Sequence, residues 1–404
     1  MAAAPPVFEI VGVHHENQGA VLMLEAAKAA LKARRPEARL ALAEAVPLDV
    51  RLAHGARTAW PSEIRRRRDV LSARLAARRG RLARFGVVTP GEVAARFDAS
   101  GFAYGDFWGI EKLNARLLRP LRAFPERRTV LLPQAYGPFR NPGMAAAIRE
   151  AMDRVGLAFV RDGRSMAYLE EAGVAPGATV RLAPDFTTLL TAPERGGGSG
   201  GGDAGEDGGG RGDGRLVVVP NQKVLDAGVR GTAEAAADGR ARYLAFLRAA
   251  VAAGRAAGFS PVFLVHEGAA DRALAEAANS GLSVPCPVLH SPDAMVTKGL
   301  VAAACGVVSS RFHGLVSALS SHVPALAAGW SHKYAELMAA YGLADAVVDL
   351  AAPDTWDAAL GALTARMADP AARDTLARHA AAERARAAAM WDTVFAFLEE
   401  GAPR

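Results

Sequence analysis

The chain of 404 residues has only two cysteines, Cys286 and Cys305. Two cannot build a disulfide framework, and they lack C-x-x-C or metal-site spacing, which fits a reducing compartment. Long apolar runs are missing as well. Arginines interrupt the Ala-rich stretches every few residues, and nothing approaches the ~20 uncharged residues of a membrane-spanning helix. Met1-Ala-Ala-Ala-Pro-Pro carries no basic region and leads straight into Val7-Phe-Glu-Ile-Val-Gly-Val13, which reads as a strand and not as a signal core. The expectation is a cytoplasmic protein. Net charge is small: 48 Lys+Arg against 42 Asp+Glu leaves +6, an excess that suits anionic small ligands at least as well as nucleic acid. There is no G-x-S-x-G, so a hydrolase elbow has no support. No H-E-x-x-H follows His14-His15-Glu16, and adjacent histidines on a strand point to opposite faces, so these read as a strand-end loop.

What is present is ordinary globular composition, 51% hydrophobic and 22% charged, at a length that suits two domains. Strand-like and helix-like runs alternate, the pattern of βαβ units and a parallel sheet. Strands are expected at 8–13, 39–43, 130–133, 157–161 and 180–182, with helices over 21–33, 144–155 and 163–172. Between Gly196 and Gly214 stand twelve glycines in nineteen residues, which cannot bury a core and read as a flexible linker. Beyond it the alternation resumes, with strands at 216–220, 261–266, 287–290 and 306–309, further segments at 324–328, 334–341 and 346–350, and a long Ala/Arg helix over Pro370–Glu399. The division expected is an N-terminal domain over 1–190, a linker over 191–214 and a C-terminal domain over 215–404. One helix, Ser62–Arg84, is rich in arginine opposite its apolar stripe of Ile64, Leu71, Leu75 and Leu82. That face would suit a membrane surface, a lipid-linked anionic acceptor or nucleic acid, or be merely solvated.

The densest candidate site is Ser309-Ser310-Arg311-Phe312-His313-Gly314, directly after a strand and where a helix begins. Backbone N–H groups and the helix dipole there favour an anion. Arginine offers a bidentate fork to carboxylate or phosphate, and histidine gives or takes a proton near neutral pH. Ser309, Ser310 and Gly314 allow an oxyanion close to the backbone. Other chemistry-bearing residues also stand at strand ends: Arg161-Asp162 before Ser165, Asp185 after Pro184, His266-Glu267 with Asp271 beyond, and Lys333 after Gly329-Trp330-Ser331-His332. Singly each reads as a cap or a surface charge; their shared placement raises the group.

At this point the sequence resembles the polysaccharide pyruvyltransferase family. Ser309–Gly314, with Leu315-Val-Ser-Ala318, Val323-Pro324 and Lys333, is similar to its S-x-R-x-H-G signature. Pro133-Gln-Ala-Tyr-Gly-Pro138 resembles its Pro-Gln-x-x-Gly-Pro segment, and Arg161-Asp162 with Ser165 and Leu169 its R-D-x-x-S-x-x-x-L segment. Asn17-Gln-Gly19 resembles its Asn-x-Gly-Asp loop, with Ala20 in place of aspartate, and Ser100-Gly101-Phe102 replaces a glycine cluster. The resemblance implies an α/β chain of two Rossmann-like domains in a GT-B-like arrangement with a central cleft, the first domain on the acceptor side and the second on the donor side. It implies transfer of pyruvate from phosphoenolpyruvate, as co-substrate, to sugar hydroxyls, forming a ketal and releasing phosphate. No cofactor and no metal are expected. His313 is then the catalytic acid; Arg161, Arg311, Lys333, Ser309, Ser310 and Gly314 bind the donor; Asn17, Asp185, His266 and Asp271 are weaker candidates for the acceptor. The expected partners are phosphoenolpyruvate and a sugar, oligosaccharide or lipid-linked glycan, with no nucleic acid and no transmembrane segment; peripheral membrane contact and oligomerisation stay open. The alternatives are a GT-B-like glycosyltransferase using a nucleotide sugar and a non-catalytic sugar- or anion-binding relative.

Overall fold

Apolar runs bounded by helical periods make strands buried on both faces, and β1 (Val7–Val11) is buried along its whole length. The computed structural model describes residues 5–71, 82–193, 213–228 and 233–400. Around β1 lies a sheet with β2 (Arg39–Ala43), β3 (Arg57–Ala59), β4 (Val87–Val88), β5 (Ala95–Asp98), β6 (Phe102–Tyr104), β7 (Arg128–Tyr136), β8 (Leu157–Val160) and β9 (Val180–Leu182). The order is β4-β3-β2-β1-β5-β7-β8-β9, with β6 beside β7. Every pairing is parallel. The order reverses between β1 and β5, and loops at the carboxyl ends of two such strands diverge and leave a crevice. Helix α1 (Gln18–Arg34) follows β1, α2 (Met144–Arg154) follows β7 and α3 (Gly163–Glu171) follows β8.

A second parallel sheet centres on β10 (Arg215–Val219), with β11 (Ser260–Val265), β12 (Val288–His290), β13 (Gly306–Ser309) and β14 (Ala325–Ala327). Its order, β12-β11-β10-β13-β14, reverses between β10 and β13. Helices α4 (Ala233–Ala256), α5 (Gly268–Asn279), α6 (Ala294–Ala302), α7 (Phe312–Ser320), α8 (His332–Ala340), α9 (Trp356–Ala368) and α10 (Pro370–Glu399) follow. Val217, Val218, Phe263, Leu264, Val307 and Leu326 make the centre of its core. A fully buried side chain of this size contributes ~1.5–3 kcal/mol through lost apolar hydration.

The chain divides into two compact units, one of Met1–His15, Met23–Leu189 and Ala385–Arg404, the other of Glu16–Leu22 and Leu190–Arg384. The expected boundaries gave all of α10 to the C-terminal domain and all of α1 to the N-terminal one, and the packing differs on both. Trp391 of α10 lies 6.4 Å from the Phe97 ring and 5.9 Å from Phe186, and the Arg128 guanidinium donates to the carbonyls of Phe397 and Leu398 at 2.7 Å. The start of α1 bonds to the second unit, where Gln18 Nε2 donates to the Ser291 carbonyl at 3.2 Å and Asn17 bridges to Glu267.

The expected strands at 39–43, 180–182 and 306–309 have the bounds expected, and most others agree within a residue or two at either end. Strands β3 to β6 were not expected. They are short, and β5 hides behind two buried charges, Arg96 and Asp98, that break its apolar pattern. The segment at 346–350 contributes a single bridge, Val347 to Ala327. Of the Arg-rich helix expected over 62–84, residues 72–81 lie outside the described residues; 67–71 are helical and Ala83–Phe85 form one 3-10 turn. The glycine-rich linker lies outside the described residues up to 212. Among the described residues no helix is long and apolar enough to cross a membrane.

Candidate active site

The Ser309–Gly314 loop leaves β13 at the reversal of the second sheet, the place where such folds bind ligands. Its shape comes from bonds within the loop. Ser309 Oγ accepts from the Arg311 N–H at 3.0 Å and donates to the Arg311 carbonyl at 2.9 Å. A β-carbon on Gly314 would stand 2.6 Å from Ser309 Oγ, so glycine is needed there for the hydroxyl to fit. The Ser310 carbonyl accepts from Asn221 Nδ2 at 2.7 Å and Tyr334 Oη at 2.8 Å, and the Asn221 N–H donates to Tyr243 Oη at 2.9 Å. Burial raises both phenols, which therefore stay protonated. Ser309, Ser310 and Gly314, expected to meet the donor, are buried, and their bonds and contacts set the course of the loop.

Arg311 is the N-cap of α7, and its guanidinium does not stand open to an anion as expected. Nε and Nη2 each donate to Asp271 at 2.7 Å, while Nη1 meets Glu267. Asp271, on the first turn of α5, is fully buried and also accepts the Gln222 N–H at 3.0 Å. Burial by itself raises the Asp271 carboxyl and lowers the Arg311 guanidinium. Two parallel charge-assisted bonds keep the pair ionised, each charge being the other's counterion. Asp271 is thus enclosed, not presented to a sugar. His266, one residue past β11, is 2% exposed. Burial, then Arg311 and His313, lower its imidazole to about 3, so it is neutral, and among the described residues its Nδ1 has no hydrogen-bond partner.

His313, the second residue of α7, is half-buried. Its ring lies against Gly19 at the start of α1, where an added β-carbon would be 2.3 Å from Nδ1. Two helix N-termini, where backbone N–H groups and the helix dipole favour negative charge, therefore meet at this imidazole. Asn17 caps the first of them, its Oδ1 accepting the Ala20 N–H at 3.3 Å. Phe312 packs edge-on to His313 with ring centroids 5.5 Å apart. The Lys333 ammonium stands 5.5 Å from the same Phe312 ring, 4.8 Å from Trp330 and 5.5 Å from Tyr334, held in place by cation–π attraction.

In the first unit Arg161, one residue past β8, donates through Nη1 to Asp185 at 2.9 Å, both side chains being buried. Asp185 Oδ1 also accepts the Thr187 N–H at 3.0 Å and its hydroxyl at 2.6 Å. The motif beside Arg161 is structural: Asp162 caps α3 by accepting the Ser165 N–H at 2.7 Å, and Ser165 Oγ accepts the Tyr136 N–H at 2.9 Å. That bond locks the Arg161 segment to the Pro133–Pro138 segment. Nearby Asp98 accepts from Tyr104 Oη and from the Ser100 N–H at 2.9 Å.

The second unit thus brings together Asn17, Gly19, His266, Asp271, Arg311, His313 and Lys333, and the first brings together Arg161 and Asp185. Sequence reasoning missed Asn221, Tyr243 and Tyr334. Asn221, two residues past β10, carried the same strand-end signal as the others; the two tyrosines reach the loop from helices and carried none.

No curated protein matches the chain closely enough in sequence to serve as a relative. Solved structures match its fold from end to end. The UDP-GlcNAc 2-epimerase of Neisseria meningitidis bound to UDP-GlcNAc aligns at a TM-score of 0.54 and 10% identity, over 97% of this chain and 100% of that one. The UDP-N-acetylglucosamine 2-epimerase of Rickettsia bellii aligns at 0.53 and 10%, over 98% of each chain. Anabaena HepE, solved with UDP and glucose, aligns at 0.52 and 11%, over 98% of this chain and 100% of that one. At such identity they show the fold, two Rossmann-like domains of the GT-B class. The polysaccharide pyruvyl transferase family model matches residues 17–332, from the Asn17–Gly19 turn to the residue before Lys333. By that match, which takes in the Ser309–Gly314 loop and both helix starts at His313, the chain belongs to the polysaccharide pyruvyl transferase family.

Proposed function

We propose that this chain moves pyruvate from phosphoenolpyruvate to two hydroxyls of a glycan, releasing phosphate and leaving a cyclic ketal. The observation that carries the reading is the seat of His313: a half-buried imidazole at two helix N-termini, sharing the Phe312 ring with the Lys333 ammonium. A carboxylate- and phosphate-bearing donor suits that surround, because backbone N–H groups and a lysine meet its charge.

In this reading His313 protonates the methylene carbon of the enol, which makes C2 electrophilic. One sugar hydroxyl adds at C2 and a second displaces phosphate. The methyl carbon gains one proton and the hydroxyls lose two, of which one restores His313 and the other leaves as hydrogen phosphate. Lys333 holds the donor's anionic groups. Arg161 is assigned to the donor by its motif, and Asp185 orients it. Arg311 serves as a positioning residue, its charge already met by Asp271 and Glu267. No cofactor enters the scheme.

Phosphate release from phosphoenolpyruvate with an array of sugar acceptors tests the reading. His313→Ala is expected to lose ~10²–10⁴ in kcat with donor affinity retained, the usual worth of general acid–base help. Full turnover in that variant, or a thermal shift with nucleotide sugars and none with phosphoenolpyruvate, would refute it.

A further inference from the structure

A cavity of about 800 Å³ lies wholly within the first unit, at the carboxyl ends of β1, β2 and β3. That is the crevice side of the β1/β5 reversal. Its lining includes Arg65, Arg96, Lys112 and Arg116, with His14 and His15. Four carboxylates line it too, but three of them are answered by groups other than these cations. Glu44 accepts the Ser62 N–H at 3.1 Å and its hydroxyl at 2.7 Å. Asp69 accepts the backbone N–H groups of Arg65 and Arg66 at 2.9 and 2.8 Å. Glu111 sits in the fork of Arg119 at 2.7 and 2.8 Å. Glu63 is ion-paired with two of the lining cations, at 2.9 Å from Arg65 and 3.5 Å from Arg116.

Arg96 is the decisive residue. It is 3% exposed and shares one buried carboxylate, Glu9, with Arg127, at 3.9 Å against 3.1 Å for its rival. Two guanidiniums on one carboxylate leave a buried positive charge. Arg96 Nη2 donates to the Arg116 carbonyl at 3.1 Å, while Nη1 has no hydrogen-bond partner among the described residues. An unmade bond on a desolvated guanidinium costs free energy that an oxyanion would recover, whereas a neutral hydroxyl would leave the charge unmet. The His14 imidazole is lowered by burial and then by Arg116 and Lys112, in keeping with a cationic surround. Outside the lining the chain continues as Arg66-Arg67-Arg68, all exposed, a local field that draws anions inward.

We propose that this cavity takes the sugar acceptor of the transfer reaction and that the acceptor carries an anionic group, carboxylate or phosphate, seated on Arg96 and Arg116. The inference rests on the transferase reading for the acceptor role; the anionic-saccharide site stands on the cavity alone. The volume falls within the ~300–1,000 Å³ usual for small-ligand pockets.

Calorimetric titration of the full chain with glucuronate, glucose 1-phosphate and glucose tests it, in the wild type, Arg116→Gln and Ala45→Trp. Ala45 is an exposed lining residue, so the tryptophan obstructs the cavity without entering the core. At least one anionic sugar is expected to bind about tenfold or more tighter than glucose, and both variants to weaken it by a similar factor, the worth of a charge-assisted bond. Which anionic sugar wins tells carboxylate from phosphate. Phosphoenolpyruvate affinity should be the same in all three proteins. No sugar binding, parity of glucose with the anionic sugars, unchanged affinity in both variants, or loss of phosphoenolpyruvate affinity in Arg116→Gln would each overturn the proposal. If the anionic sugar binds as expected but no acceptor elicits phosphate release, the transferase reading fails and the anionic-saccharide site stands.

Discussion

His313 rests on the bare α-carbon of Gly19, so close that a β-carbon there would lie 2.3 Å from Nδ1 and 2.8 Å from Cγ. The two residues are 294 positions apart in the sequence (313 − 19) and meet because the start of α1 packs into the second unit. Gly19→Ala is therefore a mutation of the histidine's position, made without touching the histidine. It is expected to reduce kcat for phosphate release by much of the ~10²–10⁴ assigned to His313→Ala, with a smaller change in donor affinity. An unaltered kcat would show that the imidazole does not act from this seat.

Lys333 is held over three aromatic rings beside the same loop. If it meets the donor's charge, Lys333→Ala should raise the phosphoenolpyruvate KM about tenfold or more, since hydrogen bonds to charged groups are worth ~1.5–3 kcal/mol. Lys333→Arg should recover part of the loss. Equal KM values across the three proteins would assign Lys333 to packing.

Arg311 separates two carboxylates of unlike burial, Asp271 at 0% side-chain exposure and Glu267 at 29%. Asp271→Asn leaves a buried guanidinium without its main counterion and should cost ~3–5 kcal/mol of unfolding free energy. Glu267→Gln, partly screened by water, should cost no more than about 1 kcal/mol. Urea denaturation of both variants measures the contrast; equal losses would mean that burial does not decide this triad.

His266 makes the fold sensitive to acid. Its imidazole is lowered from 6.5 to about 3, chiefly by burial, so the folded form refuses a proton that the unfolded chain accepts. The stability it contributes is complete above pH 6.5 and is lost as pH falls toward 3, at ~1.4 kcal/mol per pH unit within that window. Between pH 7 and 5 the wild type should lose about 2 kcal/mol more than His266→Asn. Parallel stability curves from chemical denaturation would show that His266 titrates normally in the folded chain.

Trp391 fastens the end of α10 to the first unit, where it is 4% exposed and meets Phe97, Phe186 and Phe395. Trp391→Ala should destabilise that unit by ~3–5 kcal/mol through cavity formation and lost burial. A fluorescence-free readout such as hydrogen exchange at β5 checks it, and undiminished protection there would place the helix end outside the core.

Most of the architecture was legible because strand and helix periods are local. The runs at Arg39–Ala43, Gly306–Ser309 and Pro370–Glu399 have the bounds that period and punctuation imply. β5 was not legible, because Arg96 and Asp98 break an apolar run while the groups that satisfy them lie outside it, the Glu9 carboxylate far away in the chain and the Tyr104 hydroxyl six residues on. At the candidate site, His313, Lys333 and Arg311 were picked out by the motif. What the motif did not disclose is that Arg311's fork is filled: residue type announces a bidentate cation, and only packing says which anion it holds.

The alternation of periods and the strand-end motifs are properties of neighbouring residues; the first determined an α/β chain, and the second its resemblance to the pyruvyl transferase family and a candidate site at Ser309–Gly314. Tertiary structure decided the rest: that Gly19 seats His313, that Asp271 neutralises Arg311, that α10 ends on the first sheet, and that Arg96 faces a cavity with a bond unmade. Each of those depends on contacts between residues distant in sequence and on burial, which sets the strength of a charge and the cost of leaving it unpaired. Neither quantity is a function of local sequence.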